Sequence, residues 1–121
     1  MNKFESDYDI IVVGAGAAGL LSAARAAERG KKVLLIEKME KVGKKLAITG
    51  KGRCNITNDS PISLHLKHIK PQARFLRFAY SSFFTNDIIN LLEKYGVKTI
   101  VERGSRVFPV SNSSADVVNA L

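Results

Sequence analysis

The feature that most constrains the fold is a glycine-rich turn between an apolar strand and an alanine-rich helix. The apolar run at residues 8–13 stops at Gly14, and Gly16 and Gly19 complete the spacing G-x-G-x-x-G. The next segment, LLSAARAAERG, predicts a helix that ends at its glycine, and residues 32–37 predict a second apolar strand. The order strand, glycine turn, helix, strand predicts a βαβ unit whose strands are parallel and buried on both faces.

Each glycine of this spacing has a physical role. Gly14 permits the tight turn, Gly16 lets the backbone approach a pyrophosphate, and Gly19 lets the helix pack closely on the strand. Glu37 ends the second strand 18 residues after Gly19, close to the separation of about 20 at which an acid binds an adenosine ribose. A carboxylate there repels a 2′-phosphate, so the pattern predicts a dinucleotide other than NADP at this site.

The composition favours one small globular domain with a basic surface. Of the 121 residues, 45% are apolar and 25% are charged, and the net charge is +8. Residues 31–53 hold eight basic and two acidic residues, a local charge of +6. This stretch indicates either a polyanionic partner, such as nucleic acid, phospholipid or a phosphorylated cofactor, or a solvated lysine-rich surface.

The cysteine and the histidines give little sign of a metal site or a disulfide. Cys54 is the only cysteine, so the chain cannot form an internal disulfide. His65 and His68 stand near no cysteine or carboxylate cluster, and we predict that they are surface or loop residues.

The longest apolar run, residues 10–24, is too short and too rich in glycine to span a bilayer. Three acidic residues precede it where a signal peptide carries positive charge, namely Glu5, Asp7 and Asp9. We therefore expect a cytoplasmic protein without a membrane segment.

The remainder of the chain predicts further helices and strands. Residues 38–59 favour a loop with a short helix at 44–48, and residues 60–71 have only a weak pattern. Residues 74–84, 85–95 and 113–121 predict helices, the second of them capped by Thr85 or Asn86. Residues 97–102 predict a strand, and residues 106–111 a short extended segment broken at Pro109.

Three segments together resemble a known family. They are DYDIIVVGAGAAGLLSAARAAERGKKVLLIEK at 7–38, GKKLAITGKGRCNITN at 43–58 and RVFPVSNSSADVVNAL at 106–121. Their content and order resemble the BaiN/YhiN-type FAD-dependent oxidoreductases of bacteria. The first segment is general among flavoproteins with two dinucleotide-binding domains, and the other two are more specific. One departure is visible, because family members usually carry glycine where this chain has Lys51.

The resemblance implies FAD as cofactor, with the glycine turn at its pyrophosphate, Glu37 at its adenosine ribose and the loop at residues 45–55 along its flavin half. The implied cofactor-binding residues are Gly14, Ala15, Gly16, Ala17, Ala18, Gly19, Glu37, Lys38, Lys45, Thr49, Gly50, Gly52, Arg53, Cys54 and Asn55. It also implies NAD(P)H as the electron donor and a small organic molecule as substrate.

The chemistry of the second loop agrees with that placement. Gly50 and Gly52 allow close backbone contact, while Lys45 and Arg53 offset the negative charge of FAD. Thr49 and Asn55 can form hydrogen bonds with polar edges of the cofactor, and Cys54 is better read as a small buried residue than as a nucleophile. The alternative is a glycine turn that packs against the domain edge. The RVFP element is expected to position a turn.

The expected fold is α/β, a Rossmann-like FAD-binding domain with a parallel sheet. A doubly wound sheet needs more parallel strands than the three or so that the pattern contains. We therefore expect residues 1–121 to be the N-terminal part of such a domain, without its remainder and without an inserted substrate domain. Such a chain is expected to be inactive in isolation and to self-associate through exposed apolar sheet surface.

Two further functions stay open beside the flavin-dependent oxidoreductase. The basic stretch leaves a nucleic-acid-binding module, related to flavoproteins that modify tRNA, as one alternative. The other is a nucleotide-binding fragment without activity. The salt dependence of binding distinguishes the flavin-dependent oxidoreductase from the nucleic-acid-binding module. Nucleic-acid binding weakens steeply with salt, whereas retention of a buried FAD does not. The catalytic residues and the substrate are not determined by the sequence, and no metal site is expected.

Overall fold

The computed structural model describes residues 7–121, and Glu5 lies outside them. The strands are β1 (Ile10–Val13), β2 (Val33–Ile36), β3 (Thr57–Asn58), β4 (Thr99–Glu102) and β5 (Arg106–Pro109). The helices are α1 (Ala17–Glu28), α2 (Lys44–Ile48), α3 (Ile62–His68), α4 (Ala73–Ser82), α5 (Thr85–Lys94) and α6 (Ser114–Ala120), with a 3-10 turn at Thr49–Gly52. Within residues 7–121 no helix is long and apolar enough to cross a membrane.

The N-terminal third forms the predicted βαβ unit. Strands β1 and β2 are parallel, with Ile10 opposite Val33 and Val13 opposite Ile36, and α1 makes the crossover between them. The predicted short helix at 44–48 is also confirmed, as α2. The Rossmann-like α/β class predicted from the glycine turn is therefore correct.

Close packing of α1 on the turn depends on Gly19. A Cβ at this position would lie 1.8 Å from the carbonyl oxygen of Gly14, far inside any possible contact. Gly14 itself has a φ of +96°, which a residue with a side chain rarely adopts. The structural roles predicted for these two glycines are confirmed.

A second, antiparallel sheet has the strand order β3-β5-β4. Its central strand, β5, buries Val107, Phe108 and Pro109. The prediction of about three parallel strands is wrong, because the strand at 99–102 pairs with β5 and the described parallel sheet holds only β1 and β2. The two strands are joined by a three-residue turn at 103–105 that contains Gly104, so this antiparallel pairing is a hairpin between neighbouring segments.

Three local predictions need correction. Residues 62–68 form α3, although their pattern is weak. His65 is a half-buried residue of this helix, and its Nε2 lies 2.9 Å from the carbonyl oxygen of Asn58.

The N-cap of α5 is Phe84, whose N–H donates to the Asp87 carboxylate at 2.7 Å. Thr85 does not cap the helix, because its buried hydroxyl donates to the Asn58 carbonyl at 2.9 Å.

The main buried cluster lies outside the parallel sheet. It consists of Cys54, Leu92, Val97 and Val117, and partly buried apolar residues from α2, α5 and α6 surround it. This cluster joins the loop before β3 to α5 and α6. The second half of the chain therefore supplies the core against which residues 45–55 are held.

The expectation that β1 is buried on both faces is wrong for the described residues. Val13 is 82% exposed and Ile11 is 58% exposed, although both are β-branched apolar residues. Helix α1 covers one side of the two-stranded sheet, and the alternating residues of β1 on the other side face solvent. The apolar pattern of β1 therefore predicts burial of a sheet face that is exposed within residues 7–121.

Replacing Gly19 with alanine should destabilise the protein strongly. The added Cβ meets backbone that cannot move without displacing α1 from β1, so we expect a loss of about 3 kcal/mol or more in the free energy of unfolding. Urea denaturation followed by circular dichroism measures it. Ser22→Ala, at an exposed position of the same helix, is the control and should change stability by less than about 0.5 kcal/mol. Equal stability of the two variants would contradict the close approach.

Candidate functional site

The glycine turn leaves open space at the N-terminus of α1. Gly16 is the N-cap residue, with φ −81° and ψ −173° and no side-chain cap. Nothing lies within 4 Å of the position that a Cβ would occupy at Gly14 or Gly16. The first N–H groups of a helix have no partner within the helix, and its dipole is positive there. An anion can therefore approach the backbone of this turn closely.

Glu37 holds the turn in place from the end of β2. One carboxylate oxygen accepts the Ala15 N–H at 2.7 Å, and the other accepts the Met39 N–H at 3.0 Å. These hydrogen bonds, that of Ala15 foremost, lower the pKa of Glu37 below its usual value. The group is therefore ionised at neutral pH. Each carboxylate oxygen keeps a further lone pair, so Glu37 can still accept hydrogen bonds from ligand hydroxyls.

A cleft of about 1010 Å³ adjoins the turn. The Gly43 N–H donates to the Ala15 carbonyl at 2.7 Å, which ties the loop after β2 to the glycine turn. The lining residues come from this loop, α2 and α6, and they are Lys38, Met39, Glu40, Lys41, Val42, Lys44, Ala47, Ile48, Ser114, Ala115, Val118 and Asn119. Three lysines and one glutamate give this cleft a positive charge that suits an extended anionic ligand.

The second loop is shaped mainly by packing on the RVFP element. Gly50 has a φ of +58°, and a Cβ there would lie 2.9 Å from both the Phe108 ring and the Asn55 backbone nitrogen. Gly52 has a φ of +86° with open space around it. Gly50 is thus required by a contact within the protein, and only Gly52 leaves room for another molecule. The expected turn-positioning role of the RVFP element is supported by this contact.

Arg53 is engaged with the protein itself. Its guanidinium forms an ion pair with Glu102, donates from Nε to the Asn112 side chain at 2.7 Å, and lies 4.1 Å from the centre of the Phe108 ring. The Arg53 and Glu102 side chains are 34% and 32% exposed, so the ion pair alone contributes at most about 1 kcal/mol. Its main effect is to fix where the loop lies. Lys45 and Asn55 remain exposed, and Thr49 is half-buried.

Lys51, the departure from the family pattern, faces solvent with a φ of +58°. The left-handed region costs a residue with a side chain about 1–2 kcal/mol. The glycine that family members carry here would adopt this conformation without that cost. Lys51 adds an exposed cation to this loop.

Cys54 is a core residue. Its side chain is fully buried, and burial raises the pKa of the thiol above its usual value. A protonated, inaccessible thiol is a poor nucleophile. The interpretation of Cys54 as a small buried residue is confirmed, and its contact with a cofactor stays a prediction.

The structure brings the first group of predicted residues together around the turn. Ala15 and Glu37 meet there, with Gly14 to Gly19 at the start of α1, and Lys38 follows Glu37 in the lining of the cleft. Sequence reasoning missed Glu102 and Asn112, which orient Arg53, and the α6 residues that line the cleft. The separations of 49 and 59 residues explain this, because a lone acid or asparagine so far away carries no local signal.

The open helix N-terminus, the acid at the end of β2 and the adjoining basic cleft fit a dinucleotide. A model of the HI0933-like protein Rossmann domain matches residues 8–121. The chain belongs to this family. The resemblance to the BaiN/YhiN-type FAD-dependent oxidoreductases is thereby confirmed.

Relatives with assigned activities are reductases and an RNA-modifying enzyme. The ribosomal RNA dihydrouridine synthase of Escherichia coli is 37% identical over 74% of this chain and 22% of its own length. The 3-dehydro-bile acid delta(4,6)-reductase of Clostridium scindens is 30% identical over 91% of this chain and 27% of its own. The digeranylgeranylglycerophospholipid reductase of Methanocella arvoryzae is 59% identical over 32% of this chain and 10% of its own. The chain spans about a quarter or less of the relatives it matches.

Glu37 should make stability depend on pH in the acid range. Its folded-state pKa is lowered, so its stabilising effect is complete above the unfolded-state value of about 4.3 and is lost as the pH falls through the folded pKa. We expect Glu37→Gln to remove this component of the acid profile in urea titrations. Glu40→Gln makes the same charge change at an exposed position and should retain it. Identical acid profiles for Glu37→Gln and the unchanged protein would contradict the stabilising hydrogen bonds of Glu37 to Ala15 and Met39.

The Cys54 thiol should resist modification while the protein is folded. Because the side chain is buried and its pKa is raised, reaction with Ellman's reagent should be slower by on the order of a hundredfold than in urea. The double variant Cys54→Ala, Ser22→Cys carries one exposed thiol and should react at the rate of the unfolded chain. Fast reaction of Cys54 in the folded protein would show that this core opens readily.

Proposed function

We propose that this chain is the FAD-binding part of a flavin-dependent oxidoreductase that passes electrons from a nicotinamide cofactor to an organic substrate. The observation that carries the proposal is the open N-terminus of α1. Gly16 leaves free space there, beside a turn whose Ala15 N–H donates to the Glu37 carboxylate. Membership of the HI0933-like family supports the same cofactor. FAD, when bound, supplies the hydride and electron transfer. The residues of this chain bind and orient it.

Each part of the site has a distinct role in this proposal. The backbone from Gly14 to Gly19 binds the pyrophosphate, and the positive end of α1 stabilises its charge. Glu37 accepts hydrogen bonds from the ribose hydroxyls, with Lys38 beside it. Lys45, Thr49 and Asn55 face the flavin half, and Gly52 allows close approach. Arg53 acts by holding this loop in position and by adding positive charge.

The remaining features of the proposal concern the whole protein. We propose that residues 1–121 form the N-terminal portion of an FAD-binding domain, and we expect the isolated chain to be catalytically inactive. We propose a cytoplasmic location. The free thiol of Cys54 supports it, because cysteines are kept reduced in that compartment. The exposed Ile11 and Val13 support self-association of the isolated chain through the β1 sheet face.

A second candidate function is reduction of a base in RNA. Two relatives that cover more than 70% of this chain are ribosomal RNA dihydrouridine synthases. The net charge of +8 supports a polyanionic substrate in addition to an anionic cofactor. In this version the electron path is the same, and the organic substrate is an RNA pyrimidine.

FAD retention by the purified chain tests the first proposal. After incubation with FAD and gel filtration, the visible absorption spectrum should show a flavin band that persists at high salt. Gly16→Val adopts the same backbone region without a clash inside the protein, and it fills the open space at the turn. We expect FAD binding to weaken at least about tenfold, a loss of about 1.4 kcal/mol.

Ser22→Val, at an exposed position of α1, is the control and should retain the band. A wild-type chain that leaves the column colourless, or a Gly16→Val variant that retains FAD as well as Ser22→Val, would contradict the site.

A further inference from the structure

Helix α4 exposes two aromatic side chains that the site described above does not use. Phe75 is 83% exposed and Phe78 is 81% exposed. They stand three residues apart, so they are neighbours on one face of the helix. Burial of a phenylalanine ring is favourable, and these two adjacent rings are left in contact with solvent. Such a pair on a surface marks a site of interaction.

The opposite side of α4 is fixed to the protein. Tyr80 packs on Phe84 with ring centres 5.1 Å apart, and His65 packs on Phe84 at 4.8 Å. His65 in turn lies within hydrogen-bonding distance of the Asn58 carbonyl. Leu76 is partly buried on this same side. These contacts determine which face of α4 is presented to solvent, so the exposure of the two phenylalanines does not result from a loosely held helix.

The charge around the two rings is entirely positive. Residues 60–86 contain no aspartate or glutamate and four lysines or arginines, which gives a net charge of +4. Lys67, Lys70, Arg74 and Arg77 are all exposed. Arg74 is four residues before Phe78, so the two lie side by side on the helix surface. Cations and aromatic rings are therefore interleaved on one face.

We propose that this face of α4, defined by Arg74, Phe75, Arg77 and Phe78, binds single-stranded RNA. Unpaired bases stack on the two rings, and the arginines contact the flanking phosphates. This combination of aromatic stacking and cationic backbone contact is the one that sequence-tolerant single-strand binding requires. The inference rests on the second candidate function, and it places the RNA contact on a surface separate from the glycine turn and its cleft.

The arrangement favours RNA over a membrane surface. A helix that lies on a membrane separates a broad apolar face from its cations, whereas here Arg74 and Phe78 are neighbours on the helix surface. Two phenylalanines on a ten-residue helix also offer little apolar area for insertion. The lysines and arginines can bind phosphates of either RNA or a lipid surface. Separate rings between cations favour stacking with unpaired bases, which a lipid surface does not offer.

Binding of a fluorescein-labelled RNA tests the proposal. The probe is a single strand of mixed sequence, about 20 nucleotides long, titrated with the 121-residue chain and followed by fluorescence anisotropy. Phe75→Ser, Phe78→Ser removes both rings and keeps every charge. Because both positions are exposed, the fold should be retained, as circular dichroism verifies. We expect at least tenfold weaker binding, since base stacking on aromatic rings is the sequence-tolerant part of single-strand affinity.

A charge variant and its matched control separate this face from the general basicity of the chain. Arg74→Gln, Arg77→Gln should weaken binding and flatten the dependence of log K on log salt by about 1.4, as expected for two lost single-strand phosphate contacts. Lys31→Gln, Lys32→Gln removes the same charge at two exposed positions before β2. We expect this control to weaken binding less than about twofold at salt near 150 mM, where exposed distant charges are screened.

Three results would overturn the proposal. They are an unchanged affinity in the double phenylalanine variant, equal effects of the arginine and lysine variants, and ring-dependent binding to phosphatidylglycerol vesicles without binding to the RNA. FAD retention is measured on the same preparations and should be the same in all variants. An unchanged chain that retains FAD but does not bind the RNA rejects this surface alone, and RNA binding by a chain that takes up no FAD rejects the flavin proposal alone.

Discussion

Both backbone polar groups of Ala15 are held by distant segments, and the geometry of the candidate site follows from this. Its N–H is bound by the carboxylate of Glu37 and its carbonyl by the N–H of Gly43. The glycine turn, the end of β2 and the loop that begins the cleft are thereby joined at one residue. A buried residue without a reactive group thus aligns the pyrophosphate, ribose and cleft regions of the proposed cofactor site.

The same hydrogen bonds explain how Glu37 can have two roles. An acid at the end of β2 is expected from the fingerprint because of its contact with a ribose. In this structure it already stabilises the turn from which the ribose site is built. An ionised acceptor with spare lone pairs can do both, because accepting one N–H at each oxygen leaves further acceptor sites. The hydrogen bonds to the turn and the proposed ribose contact therefore depend on the same charge.

Local pattern was sufficient for the elements that consecutive residues determine. The βαβ unit, the roles of Gly14 and Gly19, and α2 all follow from spacing and residue type. Two errors fall where distant segments decide, because Thr85 uses its hydroxyl for Asn58 instead of a helix cap and Arg53 binds an acid 49 residues away. The third had a local signal, because the strand at 99–102 pairs with β5 across a three-residue turn that contains Gly104. The apolar pattern of β1 is real, but within residues 7–121 nothing covers the face that carries Ile11 and Val13.

The contact between Gly50 and Phe108 links positions that are far apart in the chain. Any side chain at residue 50 would strike the ring, and a smaller residue at 108 would remove the surface on which the Arg53 guanidinium lies. These three residues are therefore not free to diverge one at a time. Over evolutionary time they should be inherited as a set, and a change accepted at one of them should be accompanied by change at the others. The glycine loop and the RVFP element then evolve as one unit, although 50 residues of chain lie between them.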